Sequence, residues 1–113
     1  MNDRLPARVE ASSLLRRAEA EGGFGMVIRK GDPDRGAIIL TLASRGQHSA
    51  FVERTLQPNG DYRWQIVGPN AESSAEDRAK WIDRRVKFDT DLWLIELDIA
   101  EAERFIAETI AIG

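Results

Sequence analysis

The segment Asp89-Thr90-Asp91-Leu92-Trp93-Leu94-Ile95-Glu96-Leu97-Asp98 decides the fold class of this chain. Its apolar run over 92–97 is far shorter than the ~20 residues needed to cross a bilayer, and it has the composition of a buried strand. Apolar side chains occupy both alternating sets of positions, which is typical of a strand covered on both faces. The sequence therefore predicts a central strand, preceded by a loop that carries Asp89 and Asp91 beside Trp93.

Hydrophobic periodicity and turn-forming residues predict seven further elements around this strand. In chain order the predictions are a helix over 9–21, strands over 24–30, 37–43, 49–57 and 62–68, a helix over 74–87, the strand over 92–97 and a helix over 99–112. For the last segment a strand over 104–110 is the alternative. The order αββββαβα predicts an α+β fold, with a mainly antiparallel five-stranded sheet and the helices packed on one face.

Local signals mark several of the boundaries. Gly22-Gly23 is expected to end the first helix, because glycine tolerates the left-handed conformation found after a helix. Ser73 or Ser74 is expected to cap the second helix. Asp98 and Glu101 have the spacing of a capping box before the last helix. Strands over 24–30 and 37–43 flank a segment dense in turn formers and are expected to form a first hairpin.

A second hairpin is predicted around Asn59-Gly60, a dipeptide typical of tight turns between strands. We expect Gln57 to oppose Tyr62, which sets the register of both strands. One sheet face would then carry Phe51, Glu53, Thr55, Tyr62, Trp64 and Ile66, and the other Val52, Arg54, Leu56, Arg63, Gln65 and Val67.

Two features of this register suggest a ligand site. Arg54 and Arg63 would be diagonal neighbours, and two guanidinium groups that close together can grip a phosphate or a carboxylate. Glu53 would lie in an apolar layer, either as a catalytic acid or base or, more simply, in contact with solvent or an arginine. The candidate ligand-binding residues are Arg54, Arg63, Glu53, Asp89, Asp91 and Trp93.

Three of the strands, over 24–30, 37–43 and 92–97, are apolar on both sides and need cover on both sides. Helices on one face would leave the second face bare, so we expect a second copy of the chain to cover it. A division of the helices between the two faces is the alternative.

Patterns of catalysis, phosphate binding and dinucleotide binding are absent from the sequence. The single histidine, His48, has no second histidine with which to share a metal. The pairs Asp32/Asp34 and Asp89/Asp91 fit turns better than a calcium loop. The sequence predicts neither a metal site nor a cofactor.

Composition bounds the class of protein. The chain has 113 residues, is 42% hydrophobic and 31% charged, and is treated as one globular domain over 1–113. It has no cysteine, which excludes disulfides and thiolate metal sites and suits a reducing cytoplasm. The N-terminus lacks the apolar core of a signal peptide, so we expect a cytoplasmic protein with no membrane anchor.

The helix over 74–87 is rich in lysine and arginine, a pattern that can follow a phosphate backbone. The net charge of −3 gives no overall attraction to nucleic acid. Glu76 precedes Lys80 by four residues, the spacing of ordinary exposed ion pairs on a helix. A solvated helix face is therefore the simpler interpretation.

Several of these segments together resemble the DUF1491 family of small uncharacterised proteins from alphaproteobacteria. They are Leu14-Leu15-Arg16-Arg17, Val27-Ile28-Arg29-Lys30-Gly31-Asp32, Gly36-Ala37-Ile38, Trp64 and Asp89-Thr90-Asp91-Leu92-Trp93-Leu94-Ile95-Glu96. The similarity spans nearly the whole chain, and Thr90 stands where the family often has proline. The resemblance implies a bacterial cytoplasmic protein of one domain, and it implies no activity and no functional residue.

Three functional hypotheses follow. The first is a non-enzymatic protein-interaction or regulatory module that forms a homodimer and binds an unknown protein partner. The second is a binding protein or enzyme for a small phosphate-like or nucleotide-like anion, using Arg54 and Arg63 with Glu53 or Asp89 and Asp91. The third is nucleic-acid binding through the helix over 74–87.

Overall fold

The structure, a computed structural model, describes the backbone of residues 5–112 and the side chains of residues 5–109. Its elements are α1 (Ala7–Ala20), β1 (Phe24–Arg29), β2 (Ile38–Ser44), β3 (Gln47–Leu56), β4 (Tyr62–Val67), α2 (Ala75–Phe88), β5 (Trp93–Asp98) and α3 (Ala102–Ile112). The predicted order αββββαβα is confirmed. The last segment is helical, so the strand alternative over 104–110 is wrong.

The five strands form one sheet in the order β1-β5-β2-β3-β4. Three of the pairings are antiparallel and one, between β2 and β5, is parallel, so the sheet is mixed. The prediction that β1 and β2 form a hairpin is wrong, because β5 lies between them. β5 is apolar on both faces, and an interior position with neighbours on both sides suits such a strand.

The helices divide between the two faces of the sheet, so the prediction that all pack on one face is wrong. α1 and α3 cover the face that carries Ile38, Val52 and Ile95. α2 covers part of the opposite face, where Trp81, Ile82 and Val86 pack against Ile39, Phe51, Leu92 and Leu94. The chain itself therefore covers both sides of β2 and of the first half of β5.

The β3–β4 hairpin has a register shifted by one residue from the predicted one. Leu56 pairs with Tyr62, and Gln57 N–H donates to Asp61 O at 2.7 Å. Gly60 N–H donates to Gln57 O at 2.9 Å, and Gly60 has a φ of +94°. These contacts define a three-residue loop, a type I turn followed by a left-handed glycine, rather than the four-residue loop expected. The shift exchanges the face of every β4 side chain relative to β3.

The helix ends follow the predicted local chemistry except at α3. Gly23 N–H donates to Ala18 O and Gly22 N–H to Glu19 O, both at 3.0 Å, which is the Schellman ending of α1. Ser74 is the residue that caps α2, and its hydroxyl accepts from Asp77 N–H at 3.1 Å. Asp98 does not cap α3. Its carboxylate accepts the N–H groups of Arg45 and Gly46 in the β2–β3 turn at 2.9 and 2.8 Å.

The edge strand β1 is covered on one face only. Gly25 and Val27 face α1, whereas Phe24, Met26 and Ile28 are about half exposed. Within the part of the chain that the structure describes, no helix is long and apolar enough to cross a membrane.

Candidate functional site

Arg54 is a buried charge on β3, beneath the start of α1. Its side chain is 1% exposed. Nη1 donates to Leu5 O at 3.3 Å and lies 3.6 Å from the Glu10 carboxylate, an ion pair longer than a hydrogen bond. The guanidinium carbon lies 4.0 Å from the centre of the Tyr62 ring. Burial lowers the pKa of Arg54, and the charges of Glu10 and Tyr62 oppose that shift.

The other edge of this guanidinium has no hydrogen-bond partner among residues 5–109, whose side chains the structure describes. Nε and Nη2 of Arg54 are buried, and neither finds an acceptor among the residues that the structure describes. Buried donors without acceptors are rare in folded proteins and are destabilising, particularly on a charged group.

Glu53, the neighbour of Arg54 on β3, points to the opposite face of the sheet. It is 5% exposed, and both of its carboxylate oxygens accept from Arg85 of α2, at 2.8 and 2.5 Å. The hydrogen bond to Glu53 raises the pKa of Arg85, against the effect of burial. Both oxygens of the carboxylate are engaged by this two-pronged arginine contact, so Glu53 is better described as a structural anchor for α2 than as an acid or base.

The predicted pairing of Arg54 with Arg63 is wrong. Arg54 pairs with Trp64 across the hairpin, and Arg63 pairs with Thr55. The two arginines therefore lie on opposite faces of the sheet, and Arg63 is exposed. The physical reason is the three-residue hairpin loop, which moves β4 by one position along β3.

Asp89 and Asp91 lie in the loop before β5, where they take part in turns. The Asp89 carboxylate accepts the N–H of Asp91 at 3.1 Å. Asp91 contributes its carbonyl oxygen, which accepts the N–H of Asp32 at 3.0 Å. The Asp32 carboxylate in turn accepts the N–H groups of Arg35 and Asp34, and these hydrogen bonds lower the pKa of Asp32. Both acidic corners are thus turns, which was the simpler interpretation of the sequence.

Trp93 lies on the same face as Arg54, because both residues flank Ile38 across the sheet. Its indole N–H donates to Asp32 O at 2.7 Å, so the ring fastens the β1–β2 loop to the start of β5. Of the six predicted site residues, only Arg54 and Trp93 lie in line across the sheet on one face. They are on β3 and β5, and Ile38 of β2 lies between them.

His48 is engaged by the backbone rather than by a second titratable group. Its Nε2 lies 3.3 Å from Pro69 O, and its ring centre is 4.6 Å from that of Phe51. Burial lowers the pKa of His48, which the Pro69 carbonyl opposes and the charge of Arg78 reinforces. In the described residues no three histidine or carboxylate side chains come together as a metal site.

A cavity of about 490 Å³ lies at the loop end of the β3–β4 hairpin, beside Tyr62, whose ring packs on Arg54. Its lining consists of Pro6, Asp34, Arg35, Leu56 and Tyr62. Tyr62 and the Leu5–Pro6 segment separate the cavity from the buried guanidinium.

The partners of the two buried charges were not predicted from the sequence. Glu10 and Tyr62 contact Arg54, and Arg85 contacts Glu53. The contacts made by Glu10 and by Arg85 join residues that are 32 or more positions apart in the sequence. Arg85 stands on the helix that was expected to present a solvated basic face. The helical spacing of the apolar residues Ala75, Ala79, Ile82 and Val86 is the sequence signal that one side of α2 is covered, and of these Ile82 and Val86 pack against the sheet.

The chain belongs to the DUF1491 family, whose model, described as "Protein of unknown function (DUF1491)", matches residues 5–107. The sequence-based resemblance is thereby confirmed. No match is found among the curated proteins.

Solved structures share the fold. A crystal structure of a DUF1491 family protein from Caulobacter crescentus CB15 has a TM-score of 0.75 and 24% identity, and the match covers 89% of this chain and 94% of that chain. An NMR structure of a DUF1491 family protein from the same organism gives 0.74 and 24%, over 89% and 91%. The solution structure of protein Atu0922 from A. tumefaciens gives 0.73 and 29%, over 87% and 88%.

Proposed function

We propose that this protein is a non-enzymatic protein-interaction module that forms a homodimer through β1. The observation that carries the proposal is the exposure of Phe24, Met26 and Ile28, at 55%, 51% and 48%, on an edge strand. An edge strand presents unpaired backbone N–H and C=O groups, and natural proteins usually protect such an edge with charged side chains or cover. β1 carries no charged side chain from Phe24 to Ile28, and its charge and the irregularity in its pairing with β5 are confined to the end of the strand at Arg29.

The position of α2 explains why this surface is bare. Met26 pairs with Glu96, which alternates with the α1-facing residues Ile95 and Leu97, so Met26 lies on the α2 face of the sheet. The apolar cluster beneath α2 is built from β2, β3, the start of β5 and nearby residues, and includes none of the described residues of β1. Three strands, β1, β2 and β5, were expected to need a second copy of the chain to cover one face. Residues of β2 and the start of β5 are covered by α2, whereas β1 is not.

The distribution of charge around β1 favours a second copy of the same chain as the partner that binds the exposed β1 surface. At one end of β1 its neighbours on β5 are acidic, since Phe24 pairs with Asp98 and Met26 with Glu96. At the other end β1 ends in Arg29 and the chain continues into Lys30. Antiparallel pairing of two β1 strands about a two-fold axis brings the basic end of each to the acidic end of the other.

The opposite edge of the sheet lacks this combination. β4 also exposes an apolar residue, Ile66, at 59%. Its exposed neighbours on the other face are Arg63 and Gln65, so the strand is polar where β1 is apolar. This difference makes Ile66 a matched control for Met26.

Sedimentation equilibrium of the wild-type protein and of Met26→Lys and Ile66→Lys tests the proposal. We expect a dimer for the wild type and for Ile66→Lys, and a monomer for Met26→Lys, because a lysine placed on the β1 face repels its symmetry mate and is costly to bury. A wild-type protein that stays monomeric at high concentration overturns the homodimer. A dimer that survives Met26→Lys and dissociates with Ile66→Lys overturns the assignment to β1.

The contacts of three titratable side chains support a binding role. Glu53 is occupied by Arg85, Asp89 is engaged in a turn, and His48 contacts a backbone carbonyl. General acid–base catalysis requires a titratable group within reach of a substrate proton, and these contacts leave little capacity for that.

A further inference from the structure

The unpartnered edge of Arg54 has the geometry of an anion-binding fork. In a guanidinium group, the N–H of Nε and one N–H of Nη2 point in parallel, and a carboxylate or a phosphate accepts both at once. In Arg54 these are the two buried nitrogens without an acceptor among the described residues, whereas Nη1 is the nitrogen in contact with Leu5 and Glu10. These two donors are adjacent and parallel, which is the arrangement that a two-pronged contact with one oxyanion requires.

The charge of Arg54 is also poorly compensated. Glu10 is its ion-pair partner at 3.6 Å, and the Glu10 side chain is itself 20% exposed. By contrast, Arg85 holds both oxygens of Glu53. A buried charge with a loose partner is destabilising, and a bound oxyanion would supply both the missing acceptors and the missing negative charge. A water molecule would satisfy a donor and leave the charge uncompensated.

The adjacent cavity has space and charge for such a ligand. Arg35 lines it, and the carboxylate of Asp34, also in the lining, is paired with Arg8 at 2.7 Å. Leu56, Pro6 and Tyr62 supply apolar surface. A volume of about 490 Å³ is within the range of small-molecule sites.

We propose that the Nε–Nη2 edge of Arg54 binds the carboxylate or phosphate of a small molecule whose remainder occupies the cavity beside Tyr62. Nε and Nη2 are buried in this structure, so binding requires a neighbour of the guanidinium to move aside, either the Leu5–Pro6 segment at Nη1 or Tyr62 over its face. Leu5 is 43% exposed, and its carbonyl contact with Arg54 is long at 3.3 Å, so this cover is weakly held. The site lies on the α1 face and is independent of the β1 surface.

Nuclear magnetic resonance of ¹⁵N-labelled protein tests the site directly. The Arg54 Nε–H signal is followed while sodium phosphate or sodium acetate replaces sodium chloride at constant ionic strength. We expect a saturable shift of the Arg54 signal with at least one of the two anions, and no comparable shift of the exposed Arg63 signal. The anion that saturates at lower concentration distinguishes a phosphate ligand from a carboxylate ligand.

Two variants complete the experiment. Arg54→Lys keeps the charge and removes the parallel donors, and we expect it to weaken anion binding about tenfold or more, as read from backbone amide shifts around Tyr62. Arg63→Lys should bind as the wild type does. The wild-type titration decides the proposal even if Arg54→Lys folds poorly. The proposal is overturned if the Arg54 Nε–H signal shifts with neither anion. It is also overturned if that signal shows a cross-peak to bound water and no response to the anions.

Discussion

At the scale of single residues, two adjacent charged residues of β3 are both buried but differ in how far their hydrogen-bonding groups are satisfied. Glu53 faces α2 and is fully engaged by Arg85, whereas Arg54 faces α1 and keeps two donors without an acceptor among the described residues. The first arrangement fastens a helix to the sheet. The second is the arrangement from which we infer a ligand.

Replacing Glu53 with glutamine tests the first arrangement. We expect Glu53→Gln to lower the free energy of unfolding by about 2 kcal/mol, because it removes the carboxylate that holds Arg85 in a charged, two-pronged contact. Arg85 is 29% exposed, so partial hydration limits the loss. The control is Glu76→Gln in the exposed pair with Lys80, which should change stability by less than about 0.5 kcal/mol. Equal effects in urea unfolding would contradict the structural role of Glu53.

His48 gives a prediction on pH dependence. Burial lowers its pKa from the ordinary 6.5, so on acidification the unfolded state takes up a proton before the folded state does. The contribution of His48 to stability is therefore complete above pH 6.5 and declines as the pH falls through 6.5 towards the folded pKa. As the only histidine of the chain, it gives one imidazole signal whose titration by NMR reports the folded pKa directly. A midpoint at or above 6.5 would contradict this, and His48→Gln should remove the slope in this pH range.

At the scale of elements, the β1–β2 connection is tightly packed against the start of β5. A Cβ atom at Gly36 would lie 2.4 Å from Asp91 O and 2.8 Å from the Trp93 ring, and one at Gly31 would lie 2.1 Å from the same carbonyl oxygen. These glycines allow the connection to pass close enough for Trp93 to reach Asp32 O. That close approach is what lets β5 enter the sheet between β1 and β2.

We expect Gly36→Ala to destabilise the protein by about 2 kcal/mol or more, because the added methyl group meets backbone that cannot move alone. The control is Gly22→Ala, where a Cβ meets nothing within 4 Å but φ is +82°. That change should cost about 1 kcal/mol, the penalty of a left-handed alanine. Thermal unfolding compares the two. A smaller effect at Gly36 than at Gly22 would show that the loop relaxes easily.

At the scale of the whole molecule, the two layers of the protein are unequal. The α1 and α3 layer includes most of the buried apolar residues, and α1 alone buries Ala7, Ala11, Leu14 and Ala18. None of the residues of α2 is fully buried, and its contact rests on Trp81, Ile82, Val86 and the Arg85–Glu53 pair. Local stability follows buried contact, so α2 should be the less stable layer.

Native-state hydrogen exchange tests this inequality. We expect the amides of α2 to exchange through local opening, at lower free energy than those of β2 and α1. Trp81→Ala, which removes the ring that lies 4.6 Å from Phe51, should accelerate exchange in α2 more than in α1. Exchange of α2 only by global unfolding would contradict the prediction.

Much of the fold was predictable because its signals are local. Ser74 and Gly22-Gly23 mark helix ends through hydrogen bonds within a few residues, and the doubly apolar run over 92–97 indicates an interior strand. The hairpin at Asn59-Gly60 was predicted as a turn. Its loop length was not, and one residue of error placed Arg63 on the wrong face relative to Arg54.

The sequence by itself determined the family, the number and order of elements, and which strands are apolar on both sides. Only the tertiary structure decided the insertion of β5 between β1 and β2, the position of α2 on the second face, and the partners of Glu53 and Arg54. The physical reason is that helix caps, turns and periodicity depend on neighbours along the chain. Strand order and buried charge pairs depend on contacts between segments that are distant in sequence, and their free energy becomes definite only once the core has assembled.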